Sequence, residues 1–379
     1  MEMPCCCVAP LDAWVAGAYN PLVKHSISHS KDGLNGQERR TVRIVVVGAG
    51  AIGSVLATAL ARAGEEVTLL VRSQELPPAG SLKLSVDDDA GGEQRWAIIP
   101  VVSALVEAPE LIILTVKTHD LEDAANSVLR HSGDALIMTT QTGPRGDIIA
   151  GVALGQERII SCIPWFEAVL HEPGRASVEG ESHLYVGVPH EEPSASPARV
   201  QALVEMLNQA IPTVLVPNIT ALRWTKLVLA IPQALSASTN VPVSNLMHDR
   251  RLASLGMTLL REATRVIAKA EIDLAPLPGV DVAKLKKFHT IPALFAARAF
   301  HQQPLLMTAH DGHSNPTLQS LRRGRPSEID YLNGEIVRLG AEYGIPTPAN
   351  ARIVALIHTI ERSGTFLSVD DLAKATARL

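Results

Sequence analysis

Residues 43–72, RIVVVGAGAIGSVLATALARAGEEVTLLVR, limit what this chain can fold into more than any other stretch. A β-branched run, Ile44 to Val47, has the composition of a strand buried on both faces. Gly48, Gly50 and Gly53 follow, and an alanine-rich helical stretch then runs to Gly64, read as its C-cap. A second apolar strand, Val67 to Val71, completes a β-α-β unit. At this spacing the first glycine permits a tight turn and the second lets the backbone approach a pyrophosphate. The third lets helix and strand pack closely. Phosphates would rest on the unpaired N–H groups of the helix N-terminus. Gly48, Gly50, Ala51, Ile52 and Gly53 are therefore candidate cofactor-binding residues. The uncharged run Ile44 to Ala61 is long enough to span a bilayer. Its glycines fall in the dinucleotide pattern, however, and no comparable second segment follows. A buried α/β core is expected.

The end of the second strand selects the cofactor. An NAD-preferring site places Asp or Glu there, against the ribose 2′-hydroxyl. This strand ends Leu70-Val71-Arg72-Ser73, with no acid at its tip. A guanidinium at Arg72 suits a 2′-phosphate, which it can bond in bidentate fashion. The expected cofactor is NADPH.

At 379 residues the chain has room for two domains. A formal charge of −5 and 3% aromatic residues supply neither the basic patch nor the stacking platforms that nucleic acid requires. The four cysteines are Cys5, Cys6, Cys7 and Cys162, which form no disulfide framework and no metal-ligand spacing. A reducing, cytoplasmic setting is expected, with no membrane anchor. The first 40 residues balance Lys24, Lys31, Arg39 and Arg40 against Glu2, Asp12, Asp32 and Glu38. They read as a flexible extension, 1–41, rather than a targeting segment.

Further strands are expected at Leu82–Val86, Trp96–Val101, Leu111–Val116, Ala135–Thr140, Arg158–Ile163, His183–Val188 and Thr213–Val216. A helix is expected near Ala198–Gln209. Two of these strands matter for chemistry. Leu111–Val116 delivers Lys117, Thr118 and His119 at its carboxyl end, the edge where doubly wound sheets bind ligands. Ala135–Thr140 delivers Gln141-Thr142-Gly143. Beyond Asn218 the pattern turns helical: Ala221–Thr239 interrupted at Pro232, then Leu252–Ala270, Pro326–Tyr343 and Pro348–Arg362. Thr347 is the expected N-cap of the last. The fold class is thus α/β, a Rossmann-like doubly wound N-terminal domain at 42–217 followed by an all-helical domain at 218–379. The second domain is assigned the substrate and dimerisation.

VGAGAIG, the VR at the second strand, TVKTHD, RWTKL, and GRPSEIDYLNGEIVRLG followed by GIPTP together resemble the ketopantoate reductase family, from about Val42 onward. The resemblance implies a two-domain NADPH-dependent 2-dehydropantoate 2-reductase or related keto-acid reductase, with nicotinamide and substrate in a cleft between the domains. It implies that Lys226 protonates the nascent alkoxide. Glu328 would bond the substrate oxygen and hold that lysine. Lys117 would lie near the cofactor, Arg72 at the 2′-phosphate, and Thr142 at the nicotinamide. Hydride transfer to a ketone builds negative charge on oxygen, and a positioned ammonium both stabilises that charge and supplies the proton.

The chain also departs from the family pattern. Ala230 replaces one family asparagine, and Gln233 or Ala234 replaces another. Thr142-Gly143 stands for Asn-Gly, and Pro316 and Ser320 flank Thr317-Leu318-Gln319. Gln233, Ser236, Asn315 and Ser320 are the candidate substrate residues. His310, Asp311, His313 and Asn315 are crowded together, but the stretch reads as a polar loop and no metal is expected. The expected partners are a small-molecule carbonyl substrate and a second copy of the chain. Two alternatives stand beside the default substrate: reduction of a different, less polar ketone or imine in specialised metabolism, and a non-enzymatic NADPH-binding scaffold or sensor.

Overall fold

A computed structural model of the chain describes residues 41–88, 94–189, 196–290 and 315–379. These belong to one compact unit, Thr41–Leu379. The N-terminal extension up to residue 40, the cysteine triplet, His301, His310, Asp311 and His313 lie outside the described residues.

β1 (Arg43–Val47), α1 (Ala51–Arg62) and β2 (Glu66–Leu70) make the β-α-β unit, with the two strands parallel. β3 (Ser81–Asp88) and β4 (Arg95–Val102) form an antiparallel hairpin, and β4 lies parallel beside β2. β5 (Leu111–Leu114), α2 (Leu121–Val128), β6 (Leu136–Thr139) and α3 (Arg145–Leu154) extend the sheet beyond β1. β7 (Ile159–Glu172), β8 (Arg175–Gly187), α4 (Pro197–Ala210) and β9 (Thr213–Leu215) complete it. The strand order is β3-β4-β2-β1-β5-β6-β7-β8-β9.

Every residue of β5 and β6 is buried, as parallel strands covered on both faces must be. Alternation along the strands splits the core between the two faces. Val46, Leu111 and Ile113 pack with Leu56 and Leu60 of α1 and Leu203 and Leu207 of α4. Val45, Ile112 and Leu114 pack with Leu121 and Ala125 of α2 and Leu154 of α3. Burying each such side chain contributes about 1.5–3 kcal/mol.

The sheet is not the open one that the sequence suggests. β3 also pairs with β8, Ser85 opposite Arg175 and Val86 opposite Ala176, which joins the strands into a closed ring. That pairing exists because β7 and β8 run far past the short strands expected at Arg158–Ile163 and His183–Val188. Pro164 hid the length, since proline has no N–H and reads as the end of a strand. It lies opposite Leu184, just before a register shift between Trp165 and Glu167, and such a bulge lets a strand bend and continue. At the hairpin tip Gly174 has φ +87°. Its carbonyl accepts from the Ser85 N–H at 2.7 Å, and a Cβ there would stand 2.7 Å from the Lys83 carbonyl oxygen.

The remaining described helices are α5 (Ile219–Ala230), α6 (Gln233–Thr239), α7 (Arg250–Lys269), α8 (Pro316–Arg322), α9 (Asn333–Glu342), α10 (Pro348–Ser363) and α11 (Val369–Ala375), with short turns at Val243–Leu246 and Val282–Lys286. Pro232 separates α5 from α6 as expected. Leu252, Leu259, Leu260, Ala263 and Val266 of α7 belong to one apolar cluster with Ile336 of α9 and Ile353 and Ile357 of α10.

Two local expectations change. Thr347 stands at the N-cap of α10 but makes no side-chain cap bond. Glu262, buried on α7, does that work instead, accepting from the N–H groups of Ala349 and Asn350 at 2.9 Å each. A carboxylate there also meets the positive end of the helix dipole. The helix expected at Pro326–Tyr343 begins only at Asn333, after a single turn at Ile329–Tyr331. The Ser327 N–H is held by Glu361 at 2.8 Å, and the side chain of Glu328 is drawn away to the end of β5.

Candidate active site

The glycine turn fits a pyrophosphate. Gly48 has φ +104°, and its N–H donates to the Leu70 carbonyl at 2.9 Å. A Cβ on Gly53 would stand 2.0 Å from the Gly48 carbonyl oxygen, so only glycine lets α1 approach β1 this closely. A Cβ on Gly50 would meet nothing within 4 Å, which leaves that side open to a ligand. The hydroxyl of Thr115 lies 2.9 Å from the carbonyl oxygens of both Val47 and Gly48 and pins the turn. Ala51 and Ile52 open α1, whose first turn carries no acid and receives no side-chain cap. Its leading N–H groups are available to an anion.

At the end of β2, Arg72 is exposed and bonds Glu75 at 2.6 Å across one short turn. A guanidinium has five N–H donors, so this contact leaves others for a phosphate.

At the end of β5 two sequence candidates meet. Glu328 Oε2 is 3.2 Å from Lys117 Nζ. Its Oε1 accepts from the Thr118 N–H at 2.9 Å and the Thr118 hydroxyl at 2.7 Å. Burial opposes the charge on Glu328, but Lys117 and Thr118 outweigh it and hold the carboxyl below its ordinary value. The residues around Glu328 are tied down in turn. His358 Nδ1 is 2.8 Å from Glu361, and its Nε2 is 2.9 Å from Asp330.

The sequence reading had Glu328 hold Lys226. Among the described residues no bond joins them: Glu328 is engaged by Lys117 and Thr118, and Lys226 Nζ donates to the Pro164 carbonyl at 2.7 Å. Burial pushes the Lys226 ammonium down to about 8. The positive charge of Arg223 adds to the fall, and Cys162 works against it.

The turn after β6 is where these parts converge. The Gln141 side chain donates to the carbonyls of Leu114 and Val116 at 2.9 and 2.8 Å, fastening β6 to the end of β5. Gly143, next to Thr142, has φ +89°. A Cβ on it would lie 2.9 Å from Leu227 Cδ1, beside Lys226, and 3.3 Å from the Tyr331 carbonyl oxygen, just beyond Glu328. Both α5 and the Glu328 segment therefore close on this turn.

The candidate substrate residues fare differently. Asn315 is 1% exposed, and its amide is occupied: Oδ1 caps α8 through the N–H groups of Thr317 and Leu318, and Nδ2 donates to the Gln233 carbonyl at 2.8 Å. The Ser320 hydroxyl donates to the Pro316 carbonyl at 3.0 Å within α8. Both side chains are engaged with their own helix here, so a role toward substrate would have to share these bonds. Gln233 opens α6 and Ser236 lies mid-helix, both buried, and among the described residues the Ser236 hydroxyl has no hydrogen-bond partner. Among the described residues no group of His, Cys, Asp and Glu could hold a metal, and no helix is long and apolar enough to cross a membrane.

Arg223, Thr115, Thr118, Gln141 and Asp147 were missed as site residues. Arg223 had a visible signal, since it is, with Lys226, one of two charges in a run from Ile219 to Ile231 that is otherwise apolar except for Thr220 and Thr225.

A glycine turn opening a helix, an ammonium at a strand end and a carboxylate brought to it from the helical half fit a nicotinamide-dinucleotide-dependent oxidoreductase. The chain belongs to the ketopantoate reductase family. The model described as ketopantoate reductase PanE/ApbA matches residues 44–191, and that for its C-terminal part matches 218–361. A 2-dehydropantoate 2-reductase of Pyrococcus horikoshii is 26% identical over 329 residues, covering 85% of this chain and 99% of that protein. The PanE/ApbA family ketopantoate reductase of Ralstonia eutropha JMP134 superposes with a TM-score of 0.68 at 26% identity, over 85% of this chain and 99% of that one. A D-mandelate dehydrogenase with NADH and anilino(oxo)acetate shares the fold, with a TM-score of 0.70 at 22% identity over 85% and 99% of the two chains. The family consists of oxidoreductases acting on a CH–OH group, so the enzyme reading stands over the scaffold or sensor.

Proposed function

We propose that the chain is an NADPH-dependent reductase of a small 2-keto acid or related carbonyl, with 2-dehydropantoate as default substrate and Lys226 as proton donor. The observation that carries this reading is the convergence of α5 and the Glu328 segment on the Gln141–Gly143 turn, beside an ammonium held near pH 8. The glycine turn supports a Rossmann-like dinucleotide-binding domain at 42–217, with 218–379 as the substrate domain. Gly48, Gly50, Ala51, Ile52 and Gly53 would hold the pyrophosphate, and Thr142 and Lys117 would lie at the nicotinamide end. When bound, the reduced nicotinamide supplies a hydride to the substrate's carbonyl carbon. Lys226 stabilises the negative charge that grows on the oxygen and donates the proton. Glu328, kept ionised, accepts from the substrate hydroxyl, while Lys117 and Thr118 fix its carboxylate.

Preference for NADPH over NADH rests on Arg72, with no acid at the tip of β2. Arg72→Ala should weaken NADPH binding by about 1.5–3 kcal/mol, the scale of a charge-assisted hydrogen bond, and barely affect NADH. Fluorescence titration of both cofactors reads this. Equal affinities in the parent protein would remove Arg72 from the cofactor site.

A second reading, reduction of a less polar ketone or imine, is favoured by a specific observation. Asn315 and Ser320 are spent on α8, and Ala230 stands where the family places asparagine. Fewer polar groups are left for the two ends of pantoate. Ala230→Asn should then raise kcat/KM for 2-dehydropantoate by about 10-fold, one hydrogen bond's worth. No gain in steady-state assays would remove Ala230 from the pocket wall.

A further inference from the structure

Arg223 lies in α5, three residues before Lys226, and its side chain is 1% exposed. One guanidinium gathers three other elements. Its Nε donates to the Ser161 hydroxyl of β7 at 2.8 Å, and Nη2 reaches that hydroxyl at 2.5 Å. Nη2 also reaches the Thr139 hydroxyl of β6 at 3.2 Å and the Cys162 carbonyl at 3.3 Å. Nη1 donates to the carbonyl of Gln141 and, at 3.4 Å, to that of Gly143. The charge is met by Asp147 of α3 at 3.2 Å. Asp147 accepts in turn from the Ser161 hydroxyl at 2.9 Å and from the Thr139 hydroxyl.

A buried ion pair of this kind is weak evidence for stability alone, because apolar residues of similar volume often replace such pairs at no loss. What an apolar replacement cannot do is hold the Gln141 and Gly143 carbonyls of one turn to the helix that carries Lys226. We propose that Arg223 is a positioning residue of the active site, fixing the Gln141–Gly143 turn and the Lys226 helix relative to each other through one rigid guanidinium. Neighbours three apart on a helix share a face, so a shift of Arg223 moves Lys226 with it. Displacements of about 1 Å at a site of this type cost on the order of 10²-fold in rate.

This rests on the reading of Lys226 and Thr142 given under the proposed function. The test is Arg223→Lys in the full chain, which keeps the charge opposite Asp147 and removes the planar fork. Melting temperature, NADPH affinity by fluorescence, and kcat and KM with a keto acid are compared with the parent. The expected result is a folded protein with kcat lowered by about 10–10²-fold, KM for the keto acid changed by less than about threefold, and NADPH affinity weakened by about 10-fold. The fall of kcat/KM near pH 8 should stay in place, since the charge is kept. A folded Arg223→Lys protein with parental kcat and NADPH affinity overturns the proposal.

Should that variant not fold, Arg223→Met with Asp147→Leu removes both charges together. The proposal then expects the same losses, with the fall of kcat/KM moved to higher pH because the charge beside Lys226 is gone. Parental kinetics in the double variant, or failure of both variants to fold, makes Arg223 purely structural and overturns the proposal. If the parent itself reduces no keto acid, the functional reading fails, and the NADPH-affinity comparison still decides whether Arg223 positions the turn.

Discussion

Replacing Lys226 with alanine is expected to lower turnover by a factor of roughly 10²–10⁴, the usual reach of a general acid, while NADPH affinity stays within about twofold of the parent. The separation follows from where the side chain sits. Lys226 belongs to α5 and donates to Pro164, whereas the glycine turn is built by β1, α1 and Thr115. The same ammonium sets a pH dependence. With its pKa held at about 8, it carries the proton below that value and loses it above. kcat/KM in the reductive direction should therefore fall tenfold per pH unit above about 8 and lose that dependence in Lys226→Ala. Stability moves the other way. The folded pKa lies below the ordinary 10.5, so the unfolded chain binds more protons between the two values. The cost of burying the charge is present in full below about pH 8 and is relieved as pH rises toward 10.5. A variant with near-parental turnover on the true substrate, or a kcat/KM profile flat through pH 8–10, would remove Lys226 from the mechanism.

Asp147→Ala is expected to destabilise the fold by about 3–5 kcal/mol, since it leaves Arg223 buried with its charge uncompensated. In a protein of this size that lowers the melting temperature by roughly 4–6 °C. The Arg223→Met, Asp147→Leu double variant should recover most of the loss, because no lone charge remains. The single Asp147→Leu variant distinguishes an unpaired charge from a simple cavity, since it fills the space but leaves Arg223 unpaired and should stay destabilised. A single variant melting within about a degree of the parent contradicts the buried pair.

The β-α-β unit, the parallel core strands and the break at Pro232 were legible because each depends on local pattern: β-branched runs, glycine spacing, and a proline that cannot donate. The closed ring was not legible. It depends on β3 meeting β8, a pairing of residues far apart in sequence, and on β7 continuing through Pro164 by way of a register shift. The candidate site divides along the same line. Gly48, Gly50, Gly53, Lys117, Thr142, Lys226 and Glu328 were named from short motifs, and the fold gathers most of them at the carboxyl ends of the strands. Which charges pair was invisible, so Glu328 was assigned to Lys226 although Lys117 and Thr118 hold it. Asn315 and Ser320 show the same limit. Their polar groups suited a substrate in sequence, but Asn315 accepts from the unpaired N–H groups that open α8, and the Ser320 hydroxyl donates to the Pro316 carbonyl.

The measurement that bears most directly on the central claim is steady-state oxidation of NADPH by the parent protein with 2-dehydropantoate beside less polar 2-keto acids and ketones. The account predicts NADPH consumption that depends on a 2-keto acid, stops in Lys226→Ala and declines above about pH 8. A kcat/KM for 2-dehydropantoate of about 10⁴ M⁻¹s⁻¹ or more makes it the substrate and removes the less polar reading. A lower value with a faster, less polar carbonyl selects that alternative. NADPH binding with no turnover of any carbonyl in the panel would contradict the account.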